Sequence, residues 1–220
     1  MKKLYLISLG PGDPELITLK ALKAFQKSEA ICIPTKSKEK SFEKSTAYKI
    51  VKEILKEFDL QKTLYPIYVP MKFNPKDWER EAQEILECFE KHDTVSFVTL
   101  GDAAIYSTVY YILDFIKEKN PSIYENSEVI PGITSFSLAS AKIKKPLCLG
   151  DSSLEIAPFY GTSKKTKVYM RGERGACTSH IKENGKIYTF ERLTSKDEKI
   201  YPKKVDSIKH YMTLLIDFIF

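Results

Sequence analysis

Short apolar runs alternate, along the first part of this chain, with segments whose apolar residues have helical spacing. Residues 4–9 are apolar at nearly every position, and residues 94–97 and 128–130 are rich in apolar or β-branched side chains. Runs without regular polar alternation are typical of strands buried on both faces, as in a parallel sheet. The same pattern predicts a further short strand over residues 30–34.

Apolar residues at intervals of three and four mark the predicted helices, because that spacing covers one helix face. These helices cover residues 19–25, 48–58, 78–91, 109–116 and 136–142. Asp13 or Thr18 caps the first helix, and Thr134 or Ser135 caps the last. Residues 64–70 form an extended segment whose prolines place it at a sheet edge. Strands alternating with helices predict an α/β fold with a mainly parallel sheet.

The pattern changes after residue 143. Residues 144–151 resemble a linker, and the remainder shows short strand patterns divided by turn signals, with little helix. Asn184-Gly185 is a strong signal for a hairpin turn. The short strands are predicted over residues 154–157, 167–170, 186–190, 199–201 and 211–216. The sequence therefore predicts two domains, an N-terminal α/β domain over 1–143 and a smaller mixed-sheet α/β domain over 151–220.

Composition limits the functional classes without choosing one. The chain has 220 residues, 43% hydrophobic and 29% charged, enough for one large domain or two small ones. Its net charge of +6 is a mild bias, compatible with an anionic small ligand or with nucleic acid. The densest cationic stretch, Lys36 to Lys44, is explained by a solvated loop.

Four cysteines are widely spaced and form no CxxC pair, so we expect reduced thiols and no metal site. The N-terminus lacks the long apolar core of a signal peptide. The apolar run from Tyr211 to Phe220 is about half the length that crosses a bilayer. We therefore expect a cytoplasmic protein without a membrane segment.

Three glycine-containing turns, each between a predicted strand and helix, carry the candidate chemistry. They are Gly10-Pro11-Gly12-Asp13, Gly101-Asp102 and Pro131-Gly132-Ile133-Thr134-Ser135. In open α/β sheets, ligands bind beyond the carboxyl ends of the strands. The first turn has Glu15 where a dinucleotide fingerprint needs its third glycine, which argues against NAD. Each turn alone is explained by an ordinary strand-to-helix connection, but three together at one edge favour a ligand cleft.

These turns, in this order, resemble the tetrapyrrole (corrin/porphyrin) methyltransferase family. The matching stretches are 10–21, Gly101-Asp102 with 105–108, and 131–136, with a weaker likeness over 188–200. The resemblance implies S-adenosylmethionine as co-substrate, bound in a cleft between the two domains of a homodimer. It also implies methylation of C20 of precorrin-2 or cobalt-factor II in cobalamin biosynthesis, with no nucleic acid partner.

The resemblance also assigns residues. Those expected to bind S-adenosylmethionine are Pro11, Gly101, Asp102, Ile105, Thr134, Ser135 and Met170. Asp102 and Tyr106 are the hypothetical catalytic residues, which orient the macrocycle or handle the proton that leaves the methylated carbon. Lys72 and Arg171 are candidate partners for the substrate's carboxylates. Methyl transfer from a sulfonium requires positioning and exclusion of water more than an acid–base pair.

Two departures from the family pattern keep other hypotheses open. Ala103 stands where the family usually has proline, and the stretch between Met170 and Tyr188 is short for the helix usually found there. One alternative is a related methylase acting on modified histidine (a diphthine-type substrate) or on ribosomal RNA. Another is an S-adenosylmethionine-binding protein that has lost turnover.

Overall fold

The chain divides into two compact units, each with its own sheet. The first unit is Met1–Ser152 and the second is Ser153–Phe220. The computed structural model describes residues 2–70, 74–150, 152–156, 165–170, 172–192, 195–211 and 213–218. None of the helices within those ranges is long and apolar enough to span a bilayer.

The first unit is built on a five-stranded sheet in the order β3-β2-β4-β1-β5, in which all pairs are parallel. The strands are β1 Lys3–Ser8, β2 Ala30–Thr35, β3 Thr63–Tyr68, β4 Thr94–Thr99 and β5 Ser127–Ile130. This confirms the predicted α/β class with a parallel sheet. The strand β3, which contains Pro66, lies at the sheet edge as expected, because proline has no N–H to donate to a second neighbour.

Six helices connect or follow these strands: α1 Leu19–Lys27, α2 Thr46–Glu57, α3 Pro75–Cys88, α4 Val109–Lys119, α5 Pro121–Glu125 and α6 Ser135–Ile143. The Thr18 hydroxyl caps α1 by accepting from the Ala21 amide at 3.1 Å. The helix α3 begins three residues before the predicted start at Trp78, because Asn74 caps it and Pro75 suits its first turn.

Two apolar layers cover the two faces of the parallel sheet, since alternate residues of each strand point to opposite sides. Leu4 and Leu6 face the layer formed with α3 and α4, whereas Tyr5 and Ile7 face the layer formed with α1 and α2. In the first layer the Trp78 ring of α3 stacks on Tyr111 of α4, with centroids 4.0 Å apart. The buried sheet therefore provides a rigid base for the loops at its carboxyl edge.

The second unit contains a four-stranded sheet in the order β6-β9-β7-β8. Its strands are β6 Lys167–Tyr169, β7 Lys186–Glu191, β8 Lys199–Tyr201 and β9 Thr213–Phe218. The sheet is smaller than the first, as predicted, but each described strand pair is antiparallel rather than mixed. No helix is present among the described residues of this unit, so its expected α/β character is not seen there.

Two further expectations for the second unit were wrong. Asn184-Gly185 does not form a hairpin turn between neighbouring strands. Both backbone amides instead donate to the buried carboxylate of Asp217 on β9, each across 2.9 Å. Turn-forming residues thus serve here to hold an acid, because their amides point to one side. Residues 154–156 are not a strand, and residue 157 lies outside the described residues.

Candidate ligand site at the carboxyl edge of the parallel sheet

The three glycine-containing turns lie at one edge of the first unit. They follow β4, β1 and β5, which are adjacent and parallel, so that their carboxyl ends meet at the same side. This is the position at which open α/β sheets bind ligands. Each residue of the first unit that is predicted to bind the donor or to be catalytic belongs to these turns or to the first residues of the helices after them.

The first two turns are joined directly through their glycines. The Gly10 amide donates to the Gly101 carbonyl at 3.1 Å, and the Gly101 amide donates back to the Gly10 carbonyl at 2.8 Å. Gly101 has a φ of +68°, a left-handed conformation that side chains disfavour. The reciprocal pair therefore fixes the central loop against the first turn.

The third turn packs against the other two at Gly132. A Cβ atom at this position would lie 2.6 Å from the Ser8 Cβ and 2.8 Å from the Gly101 carbonyl oxygen. Both distances are too short for van der Waals contact, so only glycine lets the third turn approach this closely. Gly132 was recognisable in the sequence as part of a motif, but nothing in the sequence indicated its contact with Ser8.

Beside this packed centre, the backbone of Gly101 is open. A Cβ atom at Gly101 would meet nothing within 4 Å. The neighbouring Pro11 is half-buried on the first turn. Because no side chain covers the backbone of Gly101, a ligand can contact the main-chain atoms there directly, as expected for a bound adenosyl group.

The central loop is held by side chains on both sides. The buried Ala103 donates its amide hydrogen to the Ser8 hydroxyl oxygen at 3.0 Å. The hydroxyls of Thr99 and Ser107 lie 3.2 Å apart and close the base of the loop. Ala103 thus makes a hydrogen bond that proline, which has no N–H, cannot make. Ser8 and Thr99 lie on strands and were not among the predicted site residues.

Asp102 is half-buried at the entrance of this loop. Its Oδ1 accepts a hydrogen bond from the Ala104 amide at 2.8 Å, an Asx turn that orients the carboxylate. Burial and, secondarily, the Asp102 charge raise the pKa of Tyr110 on α4. Tyr110 therefore lies within electrostatic range of Asp102, a neighbour that the sequence analysis did not identify.

The remaining predicted residues of the central loop are exposed. Tyr106 has a φ of +51° and an exposed fraction of 70%. A non-glycine residue in this left-handed region costs roughly 1–2 kcal/mol, and here it places a large aromatic ring in solvent. Ile105, beside it, is also exposed. Both side chains are accessible to a flat ligand that approaches the loop.

In the third turn, the Thr134 hydroxyl accepts from the Ser137 amide at 3.3 Å and so caps α6. Ser135 follows at the first helical position and is exposed. Met170 belongs to the second unit, where it follows β6 and is exposed. Lys72 and Arg171, predicted as carboxylate partners, lie outside the described residues.

A buried acid lies on α3, near the carboxyl end of β3. Arg80 donates from its guanidinium to the carbonyl of Tyr68, the last residue of β3, at 2.7 Å. The next residue, Glu81, is 1% exposed, and neither of its carboxylate oxygens has a hydrogen-bond partner among the described residues. Burial, opposed by Arg80, raises the pKa of Glu81 to about 7.

The edge therefore offers open backbone, one oriented carboxylate and exposed aromatic and aliphatic side chains. Within the described ranges, no group of three or more His, Cys, Asp or Glu residues could hold a metal ion. These groups suit binding and orientation of an organic co-substrate, which is the requirement of methyl transfer.

Comparison with known proteins gives a consistent result. Residues 3–209 match the family described as Tetrapyrrole (Corrin/Porphyrin) Methylases. The chain is 30% identical over 217 residues to the protein named "Probable cobalt-precorrin-2 C(20)-methyltransferase" from Methanocaldococcus jannaschii, covering 94% of this chain and 90% of that protein. It is 32% identical over 158 residues to the cobalt-precorrin-2 C(20)-methyltransferase of Salmonella typhimurium, covering 70% of this chain and 62% of that protein.

Among solved structures, the fold is similar to that of a cobalamin synthesis related protein (CobF) from Corynebacterium diphtheriae. The TM-score is 0.56 at 15% identity, with 98% of each chain covered. At this identity the likeness concerns the fold alone.

Proposed function

Because this chain belongs to the tetrapyrrole (corrin/porphyrin) methylase family, we propose that it is an S-adenosylmethionine-dependent methyltransferase of cobalamin biosynthesis. Its reaction is methylation of C20 of precorrin-2, in the cobalt-containing or the metal-free form. The observation that carries the proposal is the 30% identity to a relative named for this reaction, extending over 94% of the chain. The cobalt-containing substrate is the first choice, because both curated relatives described above are named for it.

When bound, S-adenosylmethionine supplies an activated methyl group on a sulfonium. We assign its binding to Pro11, Gly101, Ile105 and Asp102, with Thr134 and Ser135 from the third turn. The open face of Gly101 supports this assignment, because a ligand can contact the main chain there without meeting a side chain. The Asp102 carboxylate is oriented by the Ala104 amide and can accept hydrogen bonds from the donor or offset its positive charge.

The reacting carbon of the macrocycle would bond to the methyl group while the bond from that methyl to the sulfonium sulfur breaks, so that S-adenosylhomocysteine leaves, and the methylated carbon would then lose a proton. Asp102 and Tyr106 are the candidates for orienting the ring and accepting that proton. The exposed Tyr106 ring supports a stacking role against a flat substrate. Since the methyl group is already activated, most of the rate must come from alignment and exclusion of water.

We further propose that Met170 contributes to the donor site and that residues 151–220 close it. A homodimer and a cytoplasmic location belong to the same proposal. The alternative in which turnover has been lost rested on Ala103 and on the short stretch between Met170 and Tyr188, and the structure bears on the first of these. The bond from the Ala103 amide to Ser8 favours an active enzyme, because it restrains the turn in place of a proline ring.

The test is incubation of the purified protein with S-adenosylmethionine and either cobalt-precorrin-2 or precorrin-2, followed by mass spectrometry. The expected product carries one additional methyl group, and NMR with a ¹³C-labelled donor methyl places it on C20. If the donor binds but neither substrate gives a methylated product, the result would favour the alternative of an S-adenosylmethionine-binding protein that has lost turnover. Methylation at another ring carbon would overturn the assignment to C20.

A further inference from the structure

The loop over residues 36–44, here called the cationic loop, lies at the same sheet edge as the three turns. It follows β2, which pairs in parallel with β4, and Cys32 is opposite Phe97 in that register. Thr35 and Leu100, each three residues further on, therefore leave the sheet on the same side. The loop is thus placed beside the central turn without being part of it.

The cationic loop has a defined conformation because one residue within it and the residue that follows it are hydrogen-bonded to β2. The Thr35 hydroxyl donates to the Ser41 carbonyl, and the Ser45 hydroxyl donates to the Pro34 carbonyl, each across 2.7 Å. Within the loop, the Phe42 ring stacks on Tyr48 of α2, with centroids 4.4 Å apart. The loop therefore presents its charged side chains from a fixed backbone.

The lysines of this loop differ in whether they form an ion pair with a described carboxylate. Of its four lysines, Lys40 forms an ion pair with Glu84 of α3 at 3.2 Å, which ties the loop to the sheet layer. No ion pair to a described carboxylate is formed by the other three, Lys36, Lys38 and Lys44. The loop's own Glu39 accepts from the Ser37 hydroxyl at 2.9 Å.

The side chains of this loop surround a concave space of about 420 Å³, lined by Lys36, Ser37, Lys38, Glu39, Ser41, Glu43 and Lys44. Each of these residues carries a polar or charged side chain, which does not suit an apolar ligand or an apolar protein partner. Three ammonium groups line this space against the two carboxylates of Glu39 and Glu43. This excess of ammonium groups, together with the hydroxyls, suits carboxylates, which accept several hydrogen bonds each.

We propose that Lys36, Lys38 and Lys44 form a carboxylate-recognition subsite that binds the acidic side chains of the macrocycle and selects for polycarboxylated tetrapyrroles. The proposal rests on the proposed function for the identity of the ligand. It explains why the excess of positive charge is densest next to the ligand edge. The lysines act on substrate affinity, because they hold the periphery of the ring and do not touch the reacting carbon.

The test uses the full chain and a probe that needs no turnover. Uroporphyrin, whose ring bears acetate and propionate groups, is titrated by fluorescence in the presence of S-adenosylhomocysteine. The variant combines Lys36→Gln, Lys38→Gln and Lys44→Gln, and leaves Lys40 to hold the loop. The matched control combines Lys49→Gln, Lys52→Gln and Lys56→Gln, which remove the same charge from exposed positions of α2.

We expect the loop variant to weaken porphyrin binding about tenfold or more and to flatten its salt dependence, since several charge contacts are lost. The α2 control is expected to stay within about twofold of the wild type, because exposed charges away from a site contribute little. Affinity for S-adenosylhomocysteine is expected to remain within about twofold in both variants. With cobalt-precorrin-2 as substrate, the loop variant should raise KM and leave kcat unchanged.

Equal porphyrin affinity in the wild type and the loop variant, or an equal loss in the α2 control, would overturn the subsite. Tighter binding of single-stranded RNA than of uroporphyrin through the same lysines would also overturn it. A wild-type protein that binds uroporphyrin through the loop but forms no product would contradict the proposed methylation and support the subsite. The two proposals therefore fail separately.

Discussion

The hydroxyl oxygen of Ser8 accepts a hydrogen bond at 3.0 Å from the amide of Ala103, a residue 95 positions later in the chain. Both residues are buried, Ser8 at 0% and Ala103 at 1% exposure. This bond joins the end of β1 to the central loop. A proline at position 103 would restrain the loop through its ring. Here the hydrogen bond restrains it instead, so the loop's geometry depends on the Ser8 side chain of β1.

Replacing Ser8 by alanine is expected to lower the free energy of unfolding by about 1–3 kcal/mol, because a buried amide loses its acceptor. Urea unfolding followed by circular dichroism measures the change. Ser122→Ala, at an exposed position of α5, is the control and is expected to stay within about 0.5 kcal/mol of the wild type. A Ser8→Ala protein as stable as this control would show that the bond contributes nothing.

Asp102→Asn is expected to reduce turnover at least tenfold while leaving the melting temperature nearly unchanged. The asparagine keeps the oxygen that accepts from the Ala104 amide, so the turn survives and only the charge is lost. Product formation and thermal unfolding are measured side by side. Asp114→Asn, at an exposed position of α4, serves as the control. Turnover equal to that of the wild type would remove Asp102 from the site.

Gly132→Ala and Gly101→Ala are both expected to destabilise the protein, but for different structural reasons. The alanine at position 132 would place its Cβ 2.6 Å from the Ser8 Cβ, so the turns must separate, at a cost of about 1–3 kcal/mol in unfolding free energy. The alanine at position 101 meets no neighbour within 4 Å and costs about 1–2 kcal/mol for its positive φ.

The distinguishing measurement for the glycine pair is S-adenosylmethionine affinity by calorimetry at a temperature where both variants are folded. Gly101→Ala should lose affinity out of proportion to its stability, since the new methyl group projects into the open face. Full affinity in this variant would mean that the ligand does not rest on the main chain at Gly101.

Because Glu81 is buried, the free energy of unfolding is expected to fall between about pH 4.5 and 7. Burial raises its pKa in the folded protein from 4.5 to about 7. Within that range the unfolded chain has released the proton and the folded chain still holds it, so the free energy of unfolding decreases as pH rises. The decrease amounts to about 3 kcal/mol at most.

Glu81→Gln is expected to remove this slope and to be more stable than the wild type at pH 8, because no charge is then buried. Glu57→Gln, on the exposed face of α2, should keep the slope. Chemical unfolding at a series of pH values makes the comparison. A pH profile of Glu81→Gln identical to that of the wild type would assign the dependence to other groups.

The parallel sheet could be predicted because its signals are local. Apolar runs identify the strands, Thr18 and Thr134 are recognisable caps, and Pro66 indicates an edge strand. The contacts that bring the turns together could not be predicted, because they depend on register. Nothing local to Gly132 indicates that its neighbour is Ser8, more than a hundred residues earlier.

The second unit was harder to predict for a related reason. Asn184-Gly185 has the composition of a hairpin turn, but the sheet order places β9 between β6 and β7. The pair therefore meets Asp217 from a distant part of the chain and binds its carboxylate. A local turn preference was outweighed by a long-range hydrogen-bonding partner that the sequence does not reveal.

The stacked pair Trp78 and Tyr111 gives the chain a built-in optical probe. Trp78 is the single tryptophan of the chain. Its ring centroid lies 4.0 Å from that of Tyr111 on α4, the helix that follows the central loop. All indole emission thus originates from one point in the layer beneath that loop. A ligand that shifts α4 relative to α3 is expected to change this emission, which gives a readout of ligand binding in the unlabelled protein.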